Sequence, residues 1–137
     1  MHLIIRTDGG ARGNPGPAGI GVVIEDDKGN VLEEHAKFLG HTTNNQAEYK
    51  AVILGLERAV ALGATSVEVV ADSELMVKQM MGEYRVKNPD LAKRYLELKN
   101  LEVLLGRRVK YRHVRREFNT HADALSNKAM DEGTGKA

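Results

Sequence analysis

Four acidic residues are spaced so that a strand or a helix could present each carboxylate to one shared edge of a fold: Asp8, Glu48, Asp72 and Asp123. Asp8 and Asp72 each follow a mainly apolar run and precede a turn or cap residue, so we expect each to end a strand. Glu48 and Asp123 fall in the first turn of two predicted helices. Carboxylates held close together repel one another unless a cation neutralises them, so their convergence would create a site for divalent metal ions.

The donor set indicates which ions such a site would hold. Ligation by oxygen alone favours Mg²⁺ or Mn²⁺, and the chain has no cysteine to attract softer metals. Each acid also has a simpler structural interpretation, because aspartate is a common turn residue and an acid in the first turn of a helix interacts favourably with the helix dipole. The hypothesis of a metal site therefore depends on the fold bringing the four residues together.

The first third of the chain has the alternation and turn signals of a strand meander. We predict strands over residues 2–8, 18–24 and 31–39, with a glycine-rich turn over 9–16 and a hairpin turn over 26–30. The first strand is expected to end at Asp8, where the glycines turn the backbone away. Asp8 would then lie at an open edge of an antiparallel sheet.

Helical spacing begins after Thr43, and residues 44–62 are predicted to form a helix that stops at Gly63. Gly55 lies inside this helix, where glycine is unfavourable, and indicates a close approach to the sheet.

The next strand, residues 66–72, should lie beside the first strand and parallel to it, because a strand that follows such a crossover usually pairs in this way. Side chains alternate along a strand, so Asp8 and Asp72 would both emerge at the same carboxyl edge of a mixed sheet.

The second half of the chain adds three helices and one strand. Ser73 is expected to cap a helix over 74–81, and Asn88 and Pro89 to begin another. The apolar face of this second helix comprises Leu91, Tyr95, Leu98, Leu101 and Leu105. A last strand over 107–114, a loop over 115–119 and a helix from Thr120 to about Met130 complete the pattern. We expect one domain over residues 1–130 and a flexible tail over 131–137.

Composition limits the class of protein. A chain of 137 residues without cysteine can bury a core of its own and suits a reducing compartment. It has no apolar stretch near the roughly 20 residues of a membrane span and no secretory leader pattern, so a cytoplasmic monomer is expected. Net charge is only +1, yet basic residues outnumber acids between Arg107 and Lys128. That stretch could face phosphates or could simply be a solvated strand and loop.

Four segments resemble, in order, the signatures of type 1 ribonuclease H. They are residues 7–10 with 13–17, residues 42–48, residues 72–73, and residues 119–126. One such segment alone would be a weak signal. The ordered set is specific, because it spans nearly the whole chain and falls on the matching pattern of strands and helices.

The resemblance implies an α/β fold, the ribonuclease H-like five-stranded mixed sheet, with the first three strands antiparallel, the others parallel, and helices on its flanks. It implies an endonuclease that hydrolyses the RNA strand of RNA/DNA hybrids and leaves 5′-phosphate and 3′-hydroxyl ends. Two Mg²⁺ or Mn²⁺ ions would carry the reaction. Their implied ligands are Asp8, Glu48, Asp72 and Asp123.

The same resemblance implies how the hybrid is held. Asn14, Asn44 and Asn45 match contacts to the RNA strand, and Thr43 matches a contact to a DNA phosphate. Glu48 is implied to accept a hydrogen bond from a ribose 2′-OH, which would distinguish RNA from DNA.

The sequence departs from the family pattern in two places. Residues 82–88 are too short to form the basic helical handle of many members, so hybrid affinity should depend more on the basic stretch over 107–116. The loop before the last helix is shorter than in members with a mobile histidine there. It resembles an archaeal-type subgroup in which an arginine takes that role, which favours Arg116 over His113. His121 is expected to be exposed.

Two other functions remain open at this point. The chain could be another metal-dependent nuclease of the same superfold, or a hybrid-binding module without activity. The Thr43–Asn45 element argues against the first, and four acids in a groove for a polyanion argue against the second. Metal preference, cleavage of RNA/RNA duplexes and cellular targets are left open.

Overall fold

The computed structural model describes residues 1–135, which form one sheet with helices on both faces. The strands are β1 (His2–Ala11), β2 (Gly16–Asp26), β3 (Val31–Thr42), β4 (Ser66–Ala71) and β5 (Val109–His113). The helices are α1 (Asn44–Ala61), α2 (Glu74–Met80), α3 (Pro89–Leu104) and α4 (Thr120–Gly133), and a single 3₁₀ turn covers Arg116–Phe118. Within the part of the chain that the structure describes, no helix is long and apolar enough to cross a membrane.

The sheet has the predicted mixed topology. Its strand order is β3-β2-β1-β4-β5, and β2 is antiparallel to both β1 and β3. β4 pairs in parallel with both β1 and β5. The crossover through α1 therefore places β4 directly beside β1, as the sequence predicts.

β1 is longer than predicted, and this changes the reason why Asp8 is accessible. The strand continues to Ala11, with Gly9 and Gly10 paired to β2, so the prediction that it ends at Asp8 is wrong. On the other side, the pairing with β4 stops at Thr7, opposite Ala71. Asp8 faces an open edge because the neighbouring strand ends there, while its own strand continues.

Helix α1 packs against the face of the sheet that holds most of the apolar core. Thr43 caps the helix, with its Oγ1 accepting a hydrogen bond from the Gln46 amide at 3.2 Å. A Cβ on Gly55 would lie 2.6 Å from Cγ2 of Ile5. The expected close approach of this helix to β1 is therefore confirmed, and it buries Ile5 and Leu56 completely.

Helix α4 packs on the opposite face, against glycines of β2. A Cβ on Gly21 would lie 2.1 Å from the carbonyl oxygen of Ala122, and one on Gly19 would lie 2.9 Å from that of Ser126. The loop before α4 is tied to β1 by the buried Asn119, whose Nδ2 donates to the Thr7 carbonyl at 2.8 Å. These contacts place the first turn of α4 beside Asp8.

The last elements differ in extent from the prediction. β5 covers Val109–His113, and α4 continues past Met130 to Gly133, so residues 131–133 are helical. The helix continues because Gly133 lies against the ring of Phe38, and Asp131 pairs with Arg12 at 2.6 Å. The rest of the predicted tail includes residues 136–137, which lie outside the described residues.

The close contact of α4 with β2 generates a test of the packing. Gly21→Ala should lower the free energy of unfolding by about 1 to 3 kcal/mol, because the added methyl overlaps the backbone of α4 and one of the two elements must shift. Urea unfolding measures the change. Gly10→Ala is the matched control, since a Cβ there meets only Asn44 Oδ1 at 3.8 Å. Equal stability of the two variants would contradict the assigned packing.

Candidate active site

Three carboxylates from three separate elements meet at the edge of the sheet where β4 ends. Asp8 lies on β1, Glu48 on α1, and Asp72 directly after β4. One carboxylate oxygen from each lies within 4.8 Å of the other two. Asp8 is the most enclosed of the three, with 6% of its surface exposed. The structure thus brings together three of the four acids that the sequence singled out.

A glycine lets Glu48 approach Asp8. A Cβ on Gly9 would lie 2.3 Å from the carbonyl oxygen of Ala47, so only a residue without a side chain lets the helix backbone come this close to β1. Glu48 lies in the second turn of α1, which begins at Asn44, so its predicted place in the first turn is wrong. The helix dipole acts mainly within the first turn and therefore stabilises the Glu48 carboxylate less than expected.

The buried hydroxyl of Ser126 orients Asp8. Ser126 Oγ donates a hydrogen bond to Asp8 Oδ2 at 2.5 Å. Sequence reasoning assigned no role to Ser126. A signal was available, because Ser126 lies one helical turn after Asp123 and therefore on the same face of α4.

Asp72 is held between a helix cap and a buried amide. The next residue, Ser73, caps α2, with its Oγ accepting from the Met76 amide at 3.3 Å. Burial raises the pKa of the Asp72 carboxyl, and the nearby polar side chain of Asn119 opposes that rise. Asn119 is 1% exposed, and its hydrogen bond to the Thr7 carbonyl anchors the loop to β1 beside the acid. Its role was also missed from the sequence, where it reads as a loop residue.

All three clustered acids have a raised pKa. Burial raises the pKa of Asp8 to about 6, against the hydrogen bond from Ser126, and Asp72 and Asp123 add to the rise. Burial also raises the pKa of Glu48 well above its ordinary value, followed by repulsion from Asp8 and Asp72. The pKa of Asp72 is raised by burial and partly lowered by Arg116. At neutral pH the cluster is therefore stabilised by added positive charge.

The donor atoms suit a divalent cation. Among residues 1–135, Glu48 Oε2 is buried and has no hydrogen-bond partner, an arrangement that costs free energy unless something binds it. The remaining donors are carboxylate oxygens of Asp8 and Asp72, which hard cations prefer. The three residues thus fit the metal dependence implied by the sequence resemblance.

Asp123 stands at the rim of the same cleft, in the first turn of α4 as predicted. It is not part of the three-carboxylate cluster. Its Oδ1 pairs instead with Nη2 of Arg116 at 3.2 Å. The fourth acid is therefore close enough to raise the pKa of Asp8, but it has a counter-ion of its own.

The predicted substrate-binding residues form a connected polar surface beside the cluster. Asn14 Oδ1 accepts from the Asn44 amide at 3.1 Å, and Asn44 Oδ1 accepts from the Ala11 amide at 2.7 Å. Asn45 lines both the carboxylate cleft and a neighbouring groove that includes Asn14 and Thr43. These bonds hold the amides in place, and their roles toward substrate stay predictions.

The basic candidates differ in position. Arg116 lines the carboxylate cleft, whereas His113 is the exposed last residue of β5. His113 is not among the residues that line the cleft. His121 is exposed as expected, and its Nε2 lies 3.0 Å from Glu34 Oε2. The geometry thus favours Arg116 over both histidines.

Sequence comparison finds relatives across almost the whole chain. Residues 6–129 match a family model described as reverse transcriptase-like. A Mycobacterium tuberculosis protein named as bifunctional is 48% identical over 138 residues, which cover 100% of this chain and 38% of that protein. The chain thus spans well under half the length of this curated relative.

Solved structures match the fold closely. LC11-RNase H1, isolated from compost by a metagenomic approach, was solved in complex with an RNA/DNA hybrid and is 47% identical. Its TM-score is 0.92, over 96% of this chain and 99% of that one. RNase H1 from Halobacterium salinarum is 37% identical, with a TM-score of 0.92 over 96% of this chain and 99% of that one.

The raised pKa of Asp8 predicts how stability depends on pH in the absence of metal. The folded state binds this proton more tightly than the unfolded state, so stability falls as pH rises from 3.8 through about 6. In EDTA near pH 7, Asp8→Asn should be more stable than wild type by about 1 to 3 kcal/mol, and its advantage should shrink as pH falls toward 4.

Urea unfolding at both pH values measures this difference. Asp27→Asn, in the exposed hairpin between β2 and β3, serves as the control and should change stability by less than about 0.5 kcal/mol at either pH. If Asp8→Asn were less stable than wild type near pH 7, Asp8 would be a structural residue whose charge the fold tolerates without strain.

Proposed function

The chain belongs to the ribonuclease H family, and we propose that it is an endonuclease that hydrolyses the RNA strand of RNA/DNA hybrids. One observation carries the proposal: Asp8, Glu48 and Asp72 meet in an open cleft, and burial raises the pKa of all three. A protein that only binds nucleic acid gains nothing from anions in such a groove. The similarity to LC11-RNase H1, which was solved with a hybrid, supports the choice of substrate.

We propose that Asp8, Glu48, Asp72 and Asp123 hold two Mg²⁺ or Mn²⁺ ions. When bound, such ions activate a water molecule for in-line attack and stabilise the leaving 3′ oxygen, which gives a 5′-phosphate and a 3′-hydroxyl. The chain's own residues keep the donors in place. Ser126 fixes the orientation of the Asp8 carboxylate, and Asn119 ties the loop beside Asp72 to β1.

Recognition of the hybrid is assigned to the polar surface beside the cluster. Thr43 Oγ1 accepts from the Gln46 amide, so its own proton remains free to donate to a DNA phosphate. The amides of Asn14, Asn44 and Asn45 contact the RNA strand. Glu48 offers an acceptor to the ribose 2′-OH, the group that distinguishes RNA from DNA.

The basic stretch around β5 supplies phosphate contacts in place of a helical handle. Residues 82–88, between α2 and α3, contain no helix. Arg107, Arg108 and Lys110 are exposed. Contacts of this kind make affinity fall steeply as salt concentration rises. The monomeric state and the cytoplasmic location remain proposals from composition.

The proposal is tested by cleavage of an end-labelled RNA/DNA hybrid with and without Mg²⁺. Asp8→Asn and Asp72→Asn should each abolish cleavage while hybrid binding persists, because loss of a ligand misplaces the attacking water. Asp27→Asn should cleave as wild type does. Residual activity within about tenfold of wild type in either variant would sink the site assignment.

The same assay with several nucleic-acid substrates distinguishes the competing functions. Cleavage of the RNA strand only, and only in the hybrid, is the expected result. Binding without cleavage would identify a hybrid-binding module. Cleavage of duplex DNA or of a four-way junction would identify another nuclease of the same superfold.

The positions of the two basic candidates generate a second kinetic prediction. Arg116→Ala should slow steady-state turnover more than His113→Ala, because Arg116 lines the cleft and pairs with Asp123, whereas His113 is an exposed residue at the end of β5 that does not line it. Rates at saturating hybrid and metal measure the difference. The opposite order would assign the role to His113.

A further inference from the structure

The ion pair between Arg116 and Asp123 differs from the rest of the site because its cation is exposed and weakly held. Arg116 lies on the one-turn 3₁₀ segment, where no side chain caps the turn. Its side chain is 76% exposed, against 27% for Asp123. The only contact fixing the guanidinium among the described residues is the 3.2 Å approach to Asp123 Oδ1. A long, exposed side chain held by one contact can leave it readily.

Arg116 is also the cation that faces the acids. The other basic residue that lines the cleft, Arg12, is held by Asp131 at 2.6 Å. The adjacent Arg115 turns to Glu117 at 3.7 Å. The charge of Arg116 lowers the pKa of both Asp72 and Glu48, so its effect reaches the three-acid cluster from the rim.

We propose that Arg116 is a tethered counter-ion that competes with a divalent cation for the Asp123 carboxylate. The inference rests on the proposed function, because that function makes Asp123 a metal ligand. A cation held by Asp8, Glu48 and Asp72 displaces no protein cation, since within residues 1–135 none is in contact with those oxygens. A cation that uses Asp123 competes with Arg116 for the same carboxylate. The two ions therefore bind with unequal affinity, and the weaker one depends on Arg116.

The size of the effect follows from the exposure of the pair. Exposed ion pairs favour the paired state by a factor of about 1.5 to 5. A site whose binding-competent state is populated only in part loses apparent affinity by that fraction. Removal of the guanidinium also removes a positive charge that repels the incoming ion. Arg116→Ala should therefore tighten the weaker site by about two- to tenfold.

Displacement gives the guanidinium a second use. Once the ion holds Asp123, Arg116 remains attached to the short 3₁₀ turn at the mouth of the cleft and has no acid in contact. A guanidinium in that position is free to pair with a phosphate group, two oxygens of which accept parallel hydrogen bonds from it. Metal loading and phosphate binding by Arg116 would thus occur together.

The test measures metal binding without substrate. Titration of the protein with Mn²⁺, with free ion followed by electron paramagnetic resonance, gives both affinities. Arg116→Ala should tighten the weaker site, Arg116→Lys should leave it near wild type, and Arg115→Ala, which removes a neighbouring charge paired elsewhere, should change it by less than twofold. Unchanged or weaker binding in Arg116→Ala would overturn the proposal, as would the absence of Mn²⁺ binding.

The same titrations in an Asp123→Asn background separate the direct ion pair with Asp123 from the long-range effect of the Arg116 charge. In Asp123→Asn the pair no longer exists, so adding Arg116→Ala should tighten binding only by the smaller amount that follows from removing a positive charge near the site. Equal tightening in both backgrounds would mean that Arg116 acts only through its distant charge, which overturns competition for Asp123. Failure of the proposed function has a different signature: normal Mn²⁺ titrations together with no cleavage of the hybrid.

Discussion

The surrounding structure holds Asp8, Glu48 and Asp72 together against their mutual electrostatic repulsion. Three carboxylates with oxygens within 4.8 Å of one another are unfavourable when ionised, and burial makes them more so. Such a group persists only where covalent connection and packing leave its members no room to separate. Here a strand, a helix and a strand end each contribute one acid, so no single rotation of the backbone can disperse them.

Glycines supply the close contacts that this arrangement needs. Gly9 lets the backbone of α1 contact β1 next to Glu48, and Gly55 allows a second close contact of the same helix with β1. Gly21 allows the close contact of α4 with the other face of the sheet. The two helices thereby pack on the paired strands β1 and β2 from opposite sides, near the point where β4 ends. Asp8 lies on the face toward α4, and Glu48 reaches it from α1 because no strand fills the space between them. The shortness of β4 is thus as necessary to the site as any of its ligands.

The sequence predicts this sheet and the pairing of Asp8 with Asp72, because alternation, crossover direction and strand length are local or topological properties. The sequence correctly predicts that Asp8 lies at an open edge, but it gives the wrong reason. Glycines after an aspartate favour a turn, whereas here Gly9 and Gly10 remain paired with β2 and continue the strand. The roles of Ser126 and Asn119 depend on the groups that they meet across the fold, which are the Asp8 carboxylate for Ser126 and the Thr7 carbonyl for Asn119, and neither partner follows from the sequence. The Arg116–Asp123 pair is missed from the sequence for the same reason, although both residues were singled out separately.

The site thus has two parts that differ in their protein partners. The inner part, formed by Asp8, Glu48 and Asp72, is repulsive when ionised and has no protein cation in contact within residues 1–135, so a bound ion relieves repulsion that the fold already holds. The outer part, Asp123, is paired with Arg116, so an ion there relieves less repulsion and competes with that partner. Binding free energy available to an ion is set by the strain it removes, and that strain is concentrated in the inner part. Under the proposed function, this arrangement favours ordered loading, with one ion resident in the inner part and a second that would exchange at the rim, where a substrate phosphate would also arrive.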